Sequence, residues 1–304
     1  MPTGNEYPGK GGVGIFKKGG LIPWLYMGSA LFFLSVYLIY PLVDTAYISL
    51  LGRTSREFIG LDNYRYIFSN PDMLGALKNN LLWLVLFTSI TVSMGVIIAV
   101  LTDRVHYEAA ARGLIFLPMA ISFVAAGVIW RFMLEFRPVG MPQTGLLNAL
   151  LSDLLGVKPI AWLVDKRVNN LALIGVGVWV WTGFCTVILS AGLKGIPVEL
   201  LEAARIDGAS EWHIFWRIIL PMMRSTILVV ATTMVIIVLK VFDIVYVMTN
   251  GNLGTDVIAN RMYKEMFNYR HFGRASAIAV ILLLAVIPAI VLNLRRFKLQ
   301  ETEQ

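Results

Sequence analysis

Lys240 and Asp243 stand three residues apart at the end of a long apolar run, a spacing that puts an ammonium and a carboxylate on one face of a continuous helix. With Phe242 between them, they could hydrogen-bond a polar solute or form a gate, since an ionisable group near membrane depth must be paired, hydrated or engaged. The competing use is structural: Lys240 snorkels to the outer interface while Asp243 caps the next turn. A second group comprises Trp179, Trp181, Thr182, Gly183, Phe184 and Thr186. Aromatic faces cover the apolar side of a ring-shaped solute and a few polar atoms orient it, whereas packing against helices or lipid is the alternative fate of such residues. Catalysis has no comparable candidates. His106, His213 and His271 fall in loops, so neither an intramembrane Ser–His dyad nor a histidine metal site can be assembled. Cys185 is the only cysteine and closes no intrachain disulfide. There is no G-x4-GK[ST] phosphate loop, so the chain is not itself an ATPase and is expected to bind no cofactor or metal.

The elements that carry these residues are membrane helices. The 304 residues are 57% hydrophobic and 15% charged, with mean hydropathy +0.71, well above a soluble domain's apolar share. Apolar stretches at 21–43, 81–101, 113–130, 171–193, 225–239 and 275–294 approach or reach the ~20 residues needed to cross ~30 Å of hydrocarbon. What remains is too fragmented for a soluble catalytic domain. The first stretch is too long, and followed by too many others, for a cleaved signal peptide. Six spans put both termini on one side. Segments on that side hold 12 Lys and Arg in 72 residues against 14 in 112 on the other, and Lys17, Lys18, Arg295, Arg296 and Lys298 flank the outermost spans; both termini are therefore expected in the cytoplasm. Trp24, Tyr26, Tyr40, Tyr47, Trp83 and Trp130 read as interfacial anchors. The formal charge of +7 is scattered, with no run of four basic residues, which argues against a nucleic-acid tail. The division expected is a cytoplasmic tail 1–20, a first helix with external loop 21–80, a five-helix core 81–294 with a cytoplasmic loop 194–224, and a cytoplasmic tail 295–304. External segments 44–80, 131–170 and 240–274 are long enough to dock a partner or cap a pathway, and 144–156 contains an apolar helix-like run.

Loop 194–224 is the most informative. Pro197 suits a first helical turn, Glu199 the positive end of the helix dipole and Gly208 a left-handed C-terminal cap, which predicts a helix of about three turns outside the membrane. Ala203 and Ala204 allow a partner's surface to approach closely. From about Ser210 a second helix carries Trp212, Phe215, Trp216 and Ile219 as an apolar stripe, with His213 and Arg217 off it. It should lie along the membrane and enter the fifth span at Pro221.

The run Glu202-Ala203-Ala204, three residues, Gly208, nine residues, Ile218, one residue, Leu220-Pro221 resembles the EAA signature of permease subunits in binding-protein-dependent ABC importers, matching every fixed position. Gly60-Leu61-Asp62-Asn63-Tyr64, Leu117-Pro118 with Trp130, Asp207-Gly208-Ala209, Phe242-Asp243 with Tyr246, and Phe272-Gly273 are similar in order and spacing to the carbohydrate branch, the maltose, α-glucoside and glycerol-phosphate type permeases. The resemblance covers about residues 20–300 and implies an all-α integral membrane protein with six transmembrane helices in the type I ABC importer permease fold. It implies a bacterial or archaeal inner-membrane location and coupling through Glu202, Ala203, Ala204, Asp207 and Gly208 to a cytoplasmic ATPase dimer that holds ATP and Mg. It further implies a second permease subunit, an external solute-binding protein and a carbohydrate substrate, either an oligosaccharide or an α-glucoside. The expected pathway residues are Trp181, Gly183, Phe184, Thr186, Lys240, Phe242 and Asp243. The sequence departs from maltose permeases in the fifth span, where their asparagines give way to Met234, Val235, Ile236, Ile237, Val238 and Leu239. An ion-gradient-driven secondary carrier is the alternative, but such carriers usually show internal repeats, none is evident here, and the EAA spacing has no place in that reading.

Overall fold

The structure is a computed structural model that describes residues 21–302 apart from Arg104, with side chains described for 27–291. The 1–20 tail with Lys17 and Lys18, the rings of Trp24 and Tyr26, and the side chains of Arg295, Arg296 and Lys298 lie outside the described residues. Regular structure among the described residues is helical, with an isolated bridge between Leu51 and Phe58.

The described residues up to Tyr47 form a unit of their own. Its helix, Met27–Ile48, is apolar all round and has no buried side chain, the character lipid demands. In the second unit, Pro71–Thr102, Asn169–Lys194 and Phe272–Val291 are long and apolar enough to span. The last helix runs on to Thr302, through the segment expected as a tail.

Two spans are bent. The third is Glu108–Ala120 followed by Phe123–Met133, turned by 96°. Pro118 leaves a tight 3-10 turn over Leu117–Ala120, and Ser122 restarts the helix by accepting a hydrogen bond from the Ala125 N–H at 3.2 Å. The fifth is Glu211–Met222 followed by Arg224–Leu239, turned by 69°, so the surface-lying arm expected before Pro221 is present with its elbow at Met223. Counting each bent pair as one, the described residues hold six candidate spans.

The second and fourth spans form the most extensive helix pair. Small residues permit it. A Cβ on Gly95 would lie 2.7 Å from Cys185, and one on Gly177 would lie 3.1 Å from Trp83. Gly192 admits Thr226 of the fifth span equally closely. Around these contacts Trp83, Phe87, Leu173, Ile174, Leu189 and Met234 build the core.

Asparagines organise the external segments. Asn63 donates to the carbonyls of Ser49 and Leu51, both at 2.8 Å, and Gly273 is bare where a Cβ would strike the Leu51 carbonyl. Asn148 donates to Glu135 and Ile160 and accepts from Ile160 and Trp162, holding the helix Leu146–Leu155 at the position where the apolar run was read. Asn79 donates to the carbonyls of Gly254 and Asp256, Asn80 accepts from the Ile258 N–H, and Asn169 and Asn170 donate to Leu253 and Gly254. These amides tie the loop after the fifth span to the outer ends of the second and fourth.

Candidate functional site

Arg224–Leu239 has 16 residues, about 24 Å of helix, shorter than ~30 Å of hydrocarbon, and the chain unwinds at its end. Lys240 ends the helix at φ −105°, Phe242 sits at φ −143°, ψ −60°, and a new helix begins at Asp243–Met248. Irregular backbone at this depth is tolerated where it lines a cavity. A pocket of about 80 Å³ opens there, lined by Lys240, Val241, Phe242, Asp243 and Ile244 of the break, Ile237 and Val238 before it, Trp83 and Phe87 of the second span, Phe123 at the bend of the third, and Gly177 and Trp181 of the fourth. Both helix interruptions therefore deliver residues to one place.

Trp181 is the centre of the aromatic wall: Phe123 stacks on it at 5.7 Å between centroids and Phe184 meets it edge-on at 5.7 Å. Phe242 stacks on Tyr246 at 5.1 Å. Lys240 and Asp243 supply the charges among the lining residues, and no ion pair joins them among the described residues. The shared helical face read from their spacing is corrected, because the non-helical residues between them break the periodicity. Of the expected pathway residues, Gly183 and Thr186 do not line this pocket. A Cβ on Gly183 would lie 2.3 Å from the Ile115 carbonyl, so its bareness lets the third span approach, while the Thr186 hydroxyl donates to the Thr182 carbonyl at 2.9 Å inside its own helix. Phe184 reaches the pocket only through Trp181.

Trp83 was missed. Its reading as an interfacial anchor fails because the second span starts at Pro71, with Asn70 as its cap, which carries Trp83 inward to 1% exposure. Its indole N–H is buried without an acceptor among the described residues, leaving a donor for a ligand beside an otherwise apolar wall. The early cap, Asn70-Pro71, was the available signal.

On the opposite side of the bundle the helix Val198–Ile206 follows Pro197 at its cap, with Glu199 in the first turn. Gly208 has φ +81°. The Gly208 N–H donates to the Arg205 carbonyl and the Ala209 N–H to the Ala204 carbonyl, both at 3.0 Å, a Schellman cap with Ala204 and Ala209 packed on the core. Glu202, Ala203, Asp207 and Gly208 are exposed, and Ile206 is 86% exposed, an apolar side chain presented to solvent. Arg205 Nε donates to Glu211 at 2.8 Å, which joins this helix to the following arm and holds the guanidinium above its ordinary value. At the helix's base, Lys194 contacts Glu108 at 2.6 Å, and Arg112 contacts Glu108 as well.

The stripe expected along the arm is also corrected. Trp212 and Trp216 are exposed and stack among themselves with Phe215, while Ile214, Ile219 and Met223 are buried. A π-helical turn over Phe215–Ile219 widens the repeat, so the inward residue after Ile214 comes five positions later, at Ile219. His213 lies in this arm, not in a loop.

Residues 91–297 match the family described as the binding-protein-dependent transport system inner membrane component. The chain is 61% identical over 277 residues to the osmoprotective compounds uptake permease protein GgtC of Synechocystis sp., covering 91% of this chain and 99% of that one. It is 46% identical over 274 residues to the alpha-glucoside transport system permease protein AglF of Rhizobium meliloti, covering 90% and 81%. Its fold matches a chain of a bacterial alginate ABC transporter, crystallised in complex with an alginate pentasaccharide-bound periplasmic protein, at TM-score 0.74 and 24% identity over 88% of this chain and 92% of that one.

Proposed function

Because the chain belongs to the binding-protein-dependent transport system inner membrane component family, we propose that it is the permease subunit of an ATP-driven importer of a small α-glucoside that serves as an osmoprotectant. The observation that carries this reading is the pocket where two broken spans meet. Relatives described as permeases for osmoprotective compounds and for α-glucosides point to one class compatible with both, a small uncharged glucoside. Trp181 offers the ring face. Lys240 donates to hydroxyl oxygens, Asp243 accepts from hydroxyl hydrogens, and their opposite charges suit an uncharged polyol.

Coupling runs along one covalent path. The exposed face around Glu202, Ala203, Asp207 and Gly208, with Ala204 beneath it, seats in a cleft of a cytoplasmic ATPase dimer, which binds ATP and Mg and supplies the energy. Movement of that helix passes through the Arg205–Glu211 contact into the arm Glu211–Met222, around the elbow, and along Arg224–Leu239 to Lys240 in the pocket wall. In this reading both termini are cytoplasmic, a second permease subunit completes the pathway in the inner membrane, and an external solute-binding protein delivers the sugar.

The test is to reconstitute the complex with its ATPase in vesicles and screen binding proteins and sugars for uptake. ATP-dependent accumulation of an α-glucoside is expected. Lys240→Met and Asp243→Asn should each weaken uptake by roughly tenfold, the worth of one hydrogen bond to a charged group at about 1.5 kcal/mol, without lowering thermal stability, because the two are not an ion pair. Uptake driven by an ion gradient without the ATPase, or wild-type uptake by both variants, would overturn the assignment.

A further inference from the structure

The external face carries a second polar site that the transport path does not use. Arg261, on the helix Ile258–Tyr263, has a side chain only 8% exposed. Its nearest carboxylates, on Asp72, Asp256 and Glu265, stand at 3.6, 3.8 and 3.6 Å, beyond good hydrogen-bond distance. Asp256 is engaged elsewhere, by Lys264 at 3.0 Å and Asn260 at 2.6 Å. Arg261 Nε and Glu265 Oε2 are buried with no partner among the described residues. A guanidinium has five N–H donors and no way to lose its charge, so leaving it buried with its donors unmet is costly. An incoming group with acceptor oxygens removes that cost.

Arg261 lines an open pocket of about 410 Å³ together with Arg53 and Arg274. Three guanidiniums there outnumber the carboxylates of Asp72 and Glu265, while burial, then Arg274 and Arg53, hold the His271 pKa below its ordinary value and disfavour a further positive charge there. The walls are fixed in advance. Arg53 donates to the Tyr269 carbonyl at 2.9 Å and accepts from the Phe272 N–H at 3.1 Å, and Arg274 lies 3.6 Å over the Tyr66 ring. Every contributing residue belongs to segments 44–80 and 240–274, on the side opposite the coupling helix.

We propose that Arg261, with Arg53 and Arg274 at the rim, forms a docking socket for a carboxylate side chain on the surface of the external solute-binding protein. The proposal rests on the importer reading above, which supplies such a partner on this face. The fit is one of charge: a rigid, net-positive cavity with a buried, under-satisfied arginine at its base takes a projecting Asp or Glu by paired N–H···O contacts. The socket belongs to the same external segment, 240–274, whose first residues line the sugar pocket, so docking and pocket share one piece of chain.

The experiment uses the reconstituted complex and the binding protein that stimulates its ATPase. Stimulation is titrated for wild type, Arg261→Gln and the rim double variant Arg53→Gln with Arg274→Gln, in vesicles with and without anionic lipid. The proposal expects the half-saturating concentration of binding protein to rise at least tenfold in both variants, with basal ATPase unchanged and the same rise in both lipids. It further expects that an amide scan of the binding protein's surface Asp and Glu finds one substitution whose effect is not additive with Arg261→Gln. Should Arg261→Gln fail to assemble, the rim variant alone decides. Unchanged half-saturation in assembled variants, a rise seen only with anionic lipid, or full additivity across the scan would overturn the socket. Absence of stimulation by any binding protein in wild type would instead remove the importer reading on which it stands.

Discussion

Gly208 has no atom within 4 Å of the place where a Cβ would sit, so what its backbone demands is conformational and not a matter of space. A β-branched residue at φ +81° is strained by about 1–2 kcal/mol or more, a roughly 5–30-fold shift in an equilibrium. Gly208→Val should therefore depress ATP-driven uptake while insertion and assembly persist, and Gly208→Asn, which tolerates the left-handed region better, should fall between; uptake assays on the three proteins check this. His271 makes a second point at this scale. Its Nδ1 accepts from the Arg274 N–H at 3.3 Å at the start of the last span, and burial is the main reason its pKa is lowered from 6.5, with the Arg274 and Arg53 charges adding to it. Since the folded state binds the proton less readily than the unfolded chain, stability is at its full value above about pH 6.5 and is lost as pH falls below it. Thermal melts of the complex between pH 7.5 and 5 should show this slope, and His271→Gln should flatten it.

Helices of this chain were legible where their ends carry chemistry. Pro197, Glu199 and Gly208 marked the coupling helix closely, because caps are local and depend on residues within one turn. Breaks within spans were harder to see. Pro118 announced the bend in the third span, yet an unbroken apolar run hid it, and nothing local marks the unwinding at Lys240, which follows from how the fifth span meets its neighbours. The π-helical turn at Phe215–Ile219 shifted the inward face for the same reason: hydrophobic spacing assumes a repeat that tertiary packing altered here. Glycines in the spans were read as pathway or left unread, whereas their role is close approach. Gly183→Ala would push a methyl into the Ile115 carbonyl and should lower the stability of the purified complex by about 1–3 kcal/mol, seen as a lower melting temperature. Gly75→Ala, with open space around it, is the control expected to be neutral or stabilising.

For the whole molecule, the family pieces outside the coupling loop turned out to be mostly framework. Asn63 closes the turn after the first external strand of chain, and Gly273 admits that turn against the last span, so Gly60–Tyr64 and Phe272-Gly273 are two halves of one contact 210 residues apart. Of the candidate site, Trp181, Lys240, Phe242 and Asp243 converge, Trp83 had to be found in three dimensions, and Gly183 and Thr186 belong to packing. The amide clamps have a further consequence. Loop 249–256 is fastened to the second and fourth spans chiefly by side-chain amides at 2.7–3.2 Å, whereas the spans themselves are held by interdigitated apolar surface. Two kinds of fastening weaken differently on heating, so this loop forms its own cooperative opening unit with a lower free energy than the bundle. Amide hydrogen exchange should find residues 249–256 opening ahead of the helices on either side. Uptake should then fail in a temperature range where the helical signal is still complete, the loop that follows the pocket-lining break at 240–244 having come loose from a bundle that has not begun to melt.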